Sequence, residues 1–281
     1  MSEIDMVKKT LFAAESEIFS AESLAIGQPY YISLKHLADA ENSEYDSVEL
    51  SAFSQIMEHE IPFYESRGFI AGSIQLTIDG QHVDVSRQPL GIPGFVENEN
   101  LELHKCTAKG VLVVENQKVF KTLYEGGFCQ RCNYLLVTGT GIPRAGVRRL
   151  LHRFENELHL RVGLLADNDT WGYFLYSVLK RGLLVPHKTC NYLALSDLCY
   201  IGIRAGDAAA LNAPSSMYRP WKSLWDKRLR AMRAYDCFES LDWVAEFDRF
   251  QSQGKAIDVS AIISLVGIQQ FIKVYLEKRL E

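Results

Sequence analysis

Three carboxylates in the middle of the chain could together bind a metal ion. Glu115 ends the apolar run GVLVVE, Asp167 ends the apolar run RVGLLAD, and Asp169 lies two positions beyond Asp167. Short, almost wholly apolar runs are typical of strands that are buried on both faces of a parallel sheet. Ligands of open parallel sheets gather at the carboxyl ends of the strands. We therefore expect the three carboxylates to meet at one edge of a sheet.

Carboxylates crowded at one place repel one another unless a cation lies between them. Because this set contains only oxygen donors, it favours a hard cation, Mg²⁺ first and Mn²⁺ as an alternative. Mg²⁺ that is held by carboxylates commonly acts on phosphates. Each residue also has a simpler interpretation, because an Asp after a strand often caps a helix. Asp169 could cap a helix that begins near Trp171.

The carboxylates belong to a segment in which apolar runs alternate with helical patterns. Strands are predicted at 110–115, 133–139 and 161–167, each followed by a helix, and a fourth strand at 191–195. This alternation predicts an α/β domain with a parallel sheet and helices on both faces. Residues 219–281 are predicted to be helical, with Gly254 between two helical segments.

The first hundred residues have a different pattern. Amphipathic helices are predicted at 5–24 and 47–60. The segment GFIAGSIQLTIDGQHVDVS alternates apolar and polar residues around Asp79–Gly80, which indicates a β-hairpin. The segment QPLGIPGFVENEN, at 88–100, is rich in turn-forming residues and is predicted to be a linker.

Composition limits the class of protein only loosely. The 281 residues are 47% hydrophobic and 23% charged, as in ordinary globular proteins, and no apolar stretch reaches the roughly 18 residues of a membrane span. The net charge of −5 argues mildly against a nucleic-acid-binding protein. Basic residues cluster at 144–153 and at 219–233, and we interpret both clusters as solvated helix faces.

The six cysteines include one CxxC pair, Cys129 and Cys132, which we place between a helix and a strand. A structural zinc site needs four ligands, and no second pair lies at the spacing of a zinc finger. We therefore expect free thiols in a reducing compartment.

Several segments resemble, in order, the signature blocks of one protein family. VVENQKVFKTLYEGGF, LLVTGTGIPRAGVRRLLHRF and LLADNDTWGYFLYSVLKRG are similar to three blocks of a Toprim domain. SRGFIAGSIQL, at 66–76, resembles the preceding block, and residues 254–280 resemble the C-terminal helices. The family contains the related protein that makes meiotic DNA double-strand breaks, together with the A subunit of topoisomerase VI.

The resemblance implies two domains: a reduced winged-helix-like α+β domain at 1–95, and an α/β Toprim domain with a helical C-terminus at 96–281. It assigns Mg²⁺ to Glu115, Asp167 and Asp169. It also makes Tyr31, the second tyrosine of GQPYYISLKHL, the nucleophile. The implied DNA contacts are Arg67, Arg148 and Lys180.

The function that the resemblance implies is cleavage of both strands of duplex DNA through a 5′-phosphotyrosyl intermediate. In the family the tyrosine of one protomer works with the metal site of the other, so a homodimer is implied. Further expected partners are an ATPase-like B-type subunit or accessory break-forming proteins. No association with a membrane is expected. The expected location is the nucleus in a eukaryote, and the cytoplasm or nucleoid in an archaeon or bacterium.

Three alternatives stay open. The first is the A subunit of a topoisomerase VI-like enzyme, which would need an ATP-hydrolysing B subunit because this chain shows no ATP-binding motif. The second is a catalytically degenerate DNA-binding relative, since Gly27, Gln28 and Pro29 stand where the family usually has an Arg-Asp pair. The third is a metal-dependent Toprim nuclease that does not use tyrosine.

Overall fold

The structure is a computed structural model, and it describes residues 68–93, 101–141, 143, 145–181 and 193–280. All of these residues belong to one compact unit, which comprises Tyr64–Gly182 and Asn191–Glu281. The predicted helices at 5–24 and 47–60, the winged-helix-like domain up to residue 67, Tyr31 and Arg67 lie outside the described residues.

The centre of the unit is a six-stranded sheet. Its strands are β1 (Gly68–Ala71), β4 (Leu90–Ile92), β6 (Gly110–Val114), β7 (Leu135–Thr138), β8 (Arg161–Leu165) and β9 (Cys199–Tyr200). In the order β4-β1-β7-β6-β8-β9, the last four strands are parallel, and β1 and β4 are antiparallel to their neighbours. The α/β class is therefore confirmed, with a mixed rather than a purely parallel sheet. The sheet includes residues on both sides of position 95, where the sequence places the domain boundary.

Helices cover both faces of this sheet. They are α1 (Gln117–Glu125), α2 (Phe128–Cys132), α3 (Ala145–Glu157), α4 (Thr170–Arg181), α5 (Ala205–Ala210), α6 (Ser223–Met232), α7 (Leu241–Gln253), α8 (Val259–Val266) and α9 (Ile268–Leu280). One apolar core contains side chains of α3, α4, α6 and α7. The other contains side chains of α1, α2, α8 and α9. Val111 and Val113 of β6 face the first core, whereas Leu112 and Val114 face the second, which explains why the run GVLVV is wholly apolar.

Among the described residues, no single helix is long and apolar enough to cross a membrane. Among these residues, only α8 and α9 taken together are long and apolar enough, and the two helices are bent by 107° relative to each other. The bend follows Gly267, whose φ of 80° is a conformation that favours glycine.

A second, three-stranded sheet contains the predicted hairpin. Strands β2 (Ile74–Ile78) and β3 (Gln81–Asp84) pair antiparallel around Asp79 and Gly80, whose φ values of 48° and 79° suit the hairpin turn. The third strand is β5 (Leu101–Cys106). The prediction of a linker at 88–100 is wrong for its first residues, because Leu90–Ile92 forms strand β4 and pairs with β1.

Two predictions near the C-terminus are also wrong. The fourth parallel strand is Cys199–Tyr200, whereas Leu193 and Leu195 of the predicted strand are buried without strand pairing. Residues 219–281 are not all helical, because β10 (Tyr218–Pro220) and β11 (Lys255–Ile257) form a two-stranded antiparallel sheet. Gly254 ends α7 with a φ of 62° and leads directly into β11.

The CxxC pair lies within α2 rather than between a helix and a strand. Burial raises the pKa of Cys129 to about 12 and that of Cys132 to about 11, so both thiols stay protonated at neutral pH. Five cysteines of the described residues are free, in agreement with the predicted free thiols.

We expect the substitution Gly110→Ala to lower the free energy of unfolding by about 1–3 kcal/mol, because the core around β6 has no room for a methyl group. A Cβ at Gly110 would lie 2.6 Å from Cε1 of Tyr134 and 2.8 Å from the carbonyl oxygen of Arg161. The matched control is Gly91→Ala in β4, where a Cβ would meet no atom within 4 Å. Urea denaturation of the two variants measures the difference, and equal losses would contradict this account of the core.

Candidate functional site

The structure brings Glu115 and Asp167 together at the carboxyl edge of the main sheet. Glu115 directly follows β6, and Asp167 lies two residues beyond β8, the parallel neighbour of β6. The Glu115 amide donates a hydrogen bond to the Leu165 carbonyl at 3.2 Å. The Asp167 amide donates to Oε2 of Glu115, also at 3.2 Å. The ladder between two neighbouring strands therefore holds these carboxylates side by side.

Asp169 lies beside them and caps α4. Its Oδ1 accepts hydrogen bonds from the amides of Trp171 and Gly172 at 2.8 and 2.9 Å. The simpler interpretation of Asp169 as a helix cap is thus correct for one of its two oxygens. Gly172 permits the close approach of α4 to the loop, because a Cβ there would lie 2.4 Å from the Asp167 carbonyl oxygen.

The second oxygen of Asp169 is bound by Arg219. Nη2 of Arg219 lies 2.8 Å from Oδ2 of Asp169 and 2.7 Å from Oδ1 of Asp258. We interpreted Arg219 as part of a solvated helix face, which is wrong, because Arg219 belongs to β10 and points to the acidic residues. Pairing of β10 with β11 positions this guanidinium, since Arg219 lies opposite Ala256. Nothing in the local sequence distinguishes Arg219 from the basic residues that follow it.

Asp167 is oriented by the C-terminal part of the chain. Its Oδ1 accepts a hydrogen bond of 2.7 Å from the amide of Val259, the first residue of α8. The amino end of a helix carries a partial positive charge and unpaired amide groups, which favour a nearby carboxylate. The loop between Asp167 and Asp169 also pairs with β11, because Asn168 and Ile257 form an antiparallel bridge.

These contacts do not fully compensate the negative charge. Burial, followed by the charges of Asp167 and Asp169, raises the pKa of Glu115 well above its usual range. Burial also raises the pKa of Asp167 to about 7, although the bond from Val259 acts in the opposite direction. Burial alone would lower the pKa of Arg219, but Asp169 and Asp258 raise it, so the guanidinium stays charged. The surroundings of Glu115 and Asp167 consequently disfavour the charged forms of both carboxyl groups, and a bound cation would favour them.

The donor chemistry of the three carboxylates fits a hard divalent cation, because the set offers only carboxylate oxygens. Within the described residues, no three His, Cys, Asp or Glu side chains are already arranged around a common point. Asp169 is bound to Arg219 instead. A cation shared by all three carboxylates would therefore lie close to the Arg219 guanidinium.

The structure places two of the predicted DNA contacts on helices beside the main sheet. Arg148 lies near the start of α3 and is only 2% exposed. Lys180 lies in the last turn of α4, roughly 15 Å along the helix from Asp169, and its ammonium group donates to the carbonyl of Ser196. Arg67 and Tyr31 lie outside the described residues.

Comparison with known proteins supports the family resemblance. Residues 110–280 match the family model for the Toprim domain of Spo11 and of the topoisomerase 6 A subunit. The chain is 26% identical over 254 residues to the A subunit of type 2 DNA topoisomerase 6 from Hyperthermus butylicus, a match that covers 86% of this chain and 65% of the relative. It is 26% identical over 216 residues to "Meiotic recombination protein SPO11-1" of Arabidopsis thaliana, a match that covers 76% of this chain and 59% of the relative.

The chain spans less than two thirds of the length of these relatives. The family model begins at the first residue of β6 and includes Glu115, Asp167 and Asp169, and it extends through β10, β11 and the C-terminal helices. Since this match covers more than half of the chain, the chain belongs to the family of Spo11 and the topoisomerase 6 A subunit, whose Toprim domain it carries.

Proposed function

We propose that this chain is a DNA-cleaving transesterase of the type that initiates meiotic recombination and makes double-strand breaks as a homodimer. The observation that carries the proposal is the convergence of Glu115, Asp167 and Asp169 at the carboxyl edge of the sheet in a Toprim-family chain. A cluster of carboxyl groups whose charged forms lack enough compensating positive charge is suited to a divalent cation and, through it, to a phosphodiester. The winged-helix-like domain that carries the nucleophile is part of the proposal.

In the proposed reaction the phenol oxygen of Tyr31 attacks the phosphorus of a DNA phosphodiester. A bond forms between the phenol oxygen and phosphorus, and the bond between phosphorus and the 3′ oxygen breaks. The phenol proton leaves to a base or to water, and the 3′ oxygen takes up a proton. The product is a 5′-phosphotyrosyl ester and a 3′ hydroxyl. Because the ester replaces the diester that was broken, the step is reversible without an external energy source.

The three carboxylates would hold Mg²⁺ or Mn²⁺. When bound, that ion supplies positive charge where charge develops on the phosphoryl oxygens. The residues of the chain orient the carboxylates: α8 binds Asp167, α4 binds Asp169, and the amide of Asp167 binds Glu115. Arg219, which contacts both Asp169 and Asp258, would balance part of the negative charge beside such an ion.

A second candidate function is that of the A subunit of a topoisomerase VI-like enzyme that works with an ATPase-like B subunit. The match to the topoisomerase 6 relative from Hyperthermus butylicus, over 86% of this chain, favours it. Both candidates use the same cleavage chemistry, and they differ in whether the broken ends are rejoined after a second duplex has passed. Relaxation of supercoiled DNA in the presence of ATP and a B subunit would favour the topoisomerase.

We expect Tyr31→Phe to abolish covalent attachment of the chain to DNA, because the substitution removes the attacking oxygen. The experiment incubates the chain with labelled duplex DNA, Mg²⁺ or Mn²⁺ and, where known, its partner proteins. Denaturing gels then detect protein on the 5′ ends. Tyr30→Phe is the matched control and should retain the adduct. Free ends without adduct in the unmodified chain would instead favour a nuclease, and uncleaved but bound DNA would favour a scaffold.

We expect Glu115→Gln to have opposite effects on cleavage and stability. Cleavage should fall by about 100-fold or more, the usual effect of removing one electrostatic contact to a transition state. The melting temperature of the metal-free chain at pH 8 should rise, because the raised pKa of Glu115 penalises folding at that pH, either through the buried charge or through the proton that the folded chain must take up. The control is Glu125→Gln, an exposed residue at the end of α1, which should change neither value. A destabilised Glu115→Gln variant would contradict this description of the site.

We expect the stability of the metal-free chain to fall as the pH rises from about 4 to about 7. The pKa of Asp167 is raised in the folded state from 3.8 to about 7, so the folded chain binds a proton in this range that the unfolded chain has lost. The stabilisation is therefore complete below the lower pKa and is lost as the pH passes the higher one. Melting curves by circular dichroism check this, and Asp167→Asn should flatten the dependence. An unchanged slope in that variant would exclude Asp167 as its source.

A further inference from the structure

Asn168, the residue between the two aspartates, anchors the loop to the rest of the domain. Asn168 is fully buried, and its backbone is fixed to β11: its amide donates to the Ile257 carbonyl at 3.0 Å and its carbonyl accepts from the Ile257 amide at 3.4 Å. Its side-chain nitrogen donates to the hydroxyl of Tyr173 at 2.7 Å and to Oε1 of Glu246 at 3.3 Å. The loop is thus held by the interior of the domain as well as by the strand that it follows.

Glu246 is the acceptor at which these bonds end. Its Oε1 accepts from the Tyr173 hydroxyl at 2.7 Å, from the Ala205 amide at 2.8 Å and from Asn168. The three donors belong to α4, to α5 and to the loop, and Glu246 itself belongs to α7. Glu246 is 2% exposed. One carboxylate oxygen therefore joins four separate parts of the fold.

The packing around Tyr173 fixes the position of this carboxylate. The ring of Tyr173 is fully buried and contacts Trp243, Phe247 and Phe250 of α7, with ring centroids 5.3–5.8 Å apart. Aromatic contacts of this kind have defined geometry, so α4 and α7 cannot slide past one another freely. The packing therefore holds in place the hydrogen bonds that lead from Asn168 through the Tyr173 hydroxyl to Glu246.

A shift of Asn168 would move both neighbouring aspartates. Asp167 and Asp169 are each one residue away, or about 3.8 Å along the backbone. Other contacts hold the two aspartates individually, such as the Val259 amide on Asp167 and the first turn of α4 on Asp169. Asn168 adds the contacts that join the loop between them to β11 and to Glu246. Groups that orient metal ligands typically change metal affinity about 10- to 100-fold when they are removed.

We propose that Glu246 is a positioning residue of the metal site, which acts through Tyr173 and Asn168 on Asp167 and Asp169. The inference rests on the proposed function, because it presupposes that these carboxylates bind a divalent cation. Glu246 does not touch the cation or the DNA, and it fixes the loop from behind. The three donors require an oxygen acceptor at the position of Glu246 Oε1, and they do not require its negative charge.

The test measures binding of Mn²⁺ alone to the full chain by electron paramagnetic resonance, with circular dichroism as the measure of folding. Glu246→Ala should bind Mn²⁺ about 10- to 100-fold more weakly, because it leaves the Tyr173 hydroxyl and the Ala205 amide without their acceptor and removes one of the two acceptors of Asn168. Glu246→Gln should restore binding to within about threefold, because its amide oxygen can accept the same bonds. Tyr173→Phe keeps the ring and removes the hydroxyl that accepts from Asn168 and donates to Glu246. It should weaken binding by about fivefold or more, as expected when hydrogen bonds of this kind are lost.

The matched control is Asp248→Ala, an exposed residue on the same helix that pairs with Arg233, and it should bind Mn²⁺ like the unmodified chain. Equal Mn²⁺ affinity in folded Glu246→Ala, or in Tyr173→Phe should Glu246→Ala not fold, would overturn the inference and leave the proposed function standing. Failure of the unmodified chain to bind Mn²⁺ more tightly than Asp167→Asn would overturn the proposed metal site itself, and this inference with it.

Discussion

The structure of the domain depends on the repulsion among three carboxylates that its own sheet forces together. Glu115 and Asp167 follow hydrogen-bonded parallel strands, so they cannot separate without breaking the ladder between β6 and β8. Asp169 is held beside them by the first turn of α4. Water screens these buried groups poorly, so their proximity lowers the stability of the metal-free domain. This cost is the reason for proposing that a cation binds between them.

The C-terminal part of the chain supplies most of the compensation. Arg219 comes from β10, the amide of Val259 from the start of α8, and the bridge to Asn168 from β11. All three elements are far from the acidic loop along the chain, so the site is complete only when the C-terminal part has folded onto the sheet. The elements after the parallel strands are therefore part of the site and not an appendage to it.

Several parts of the fold could be predicted from the sequence because strands that are buried on both faces consist almost wholly of apolar residues. Strands β6, β7 and β8 lie between two cores, so their residues are apolar on both faces. No such pattern identifies the short strands β4, β9, β10 and β11. Two or three residues form no periodic pattern, and their extended conformation depends on a partner strand. The Cys199–Tyr200 strand, for example, exists only because β8 offers it an edge.

The candidate site shows the same division. Sequence alone predicted which residues would carry the chemistry, from the carboxylates at the ends of apolar runs, their oxygen-only character and their family blocks. It could not determine that Arg219 would approach Asp169, that Glu246 would collect three donors, or that Arg148 would be buried. Those facts depend on residues that are distant along the chain, which meet only when the helices and the C-terminal strands fold against the sheet. The strand pattern fixes the charges in place, and the tertiary structure decides what faces them.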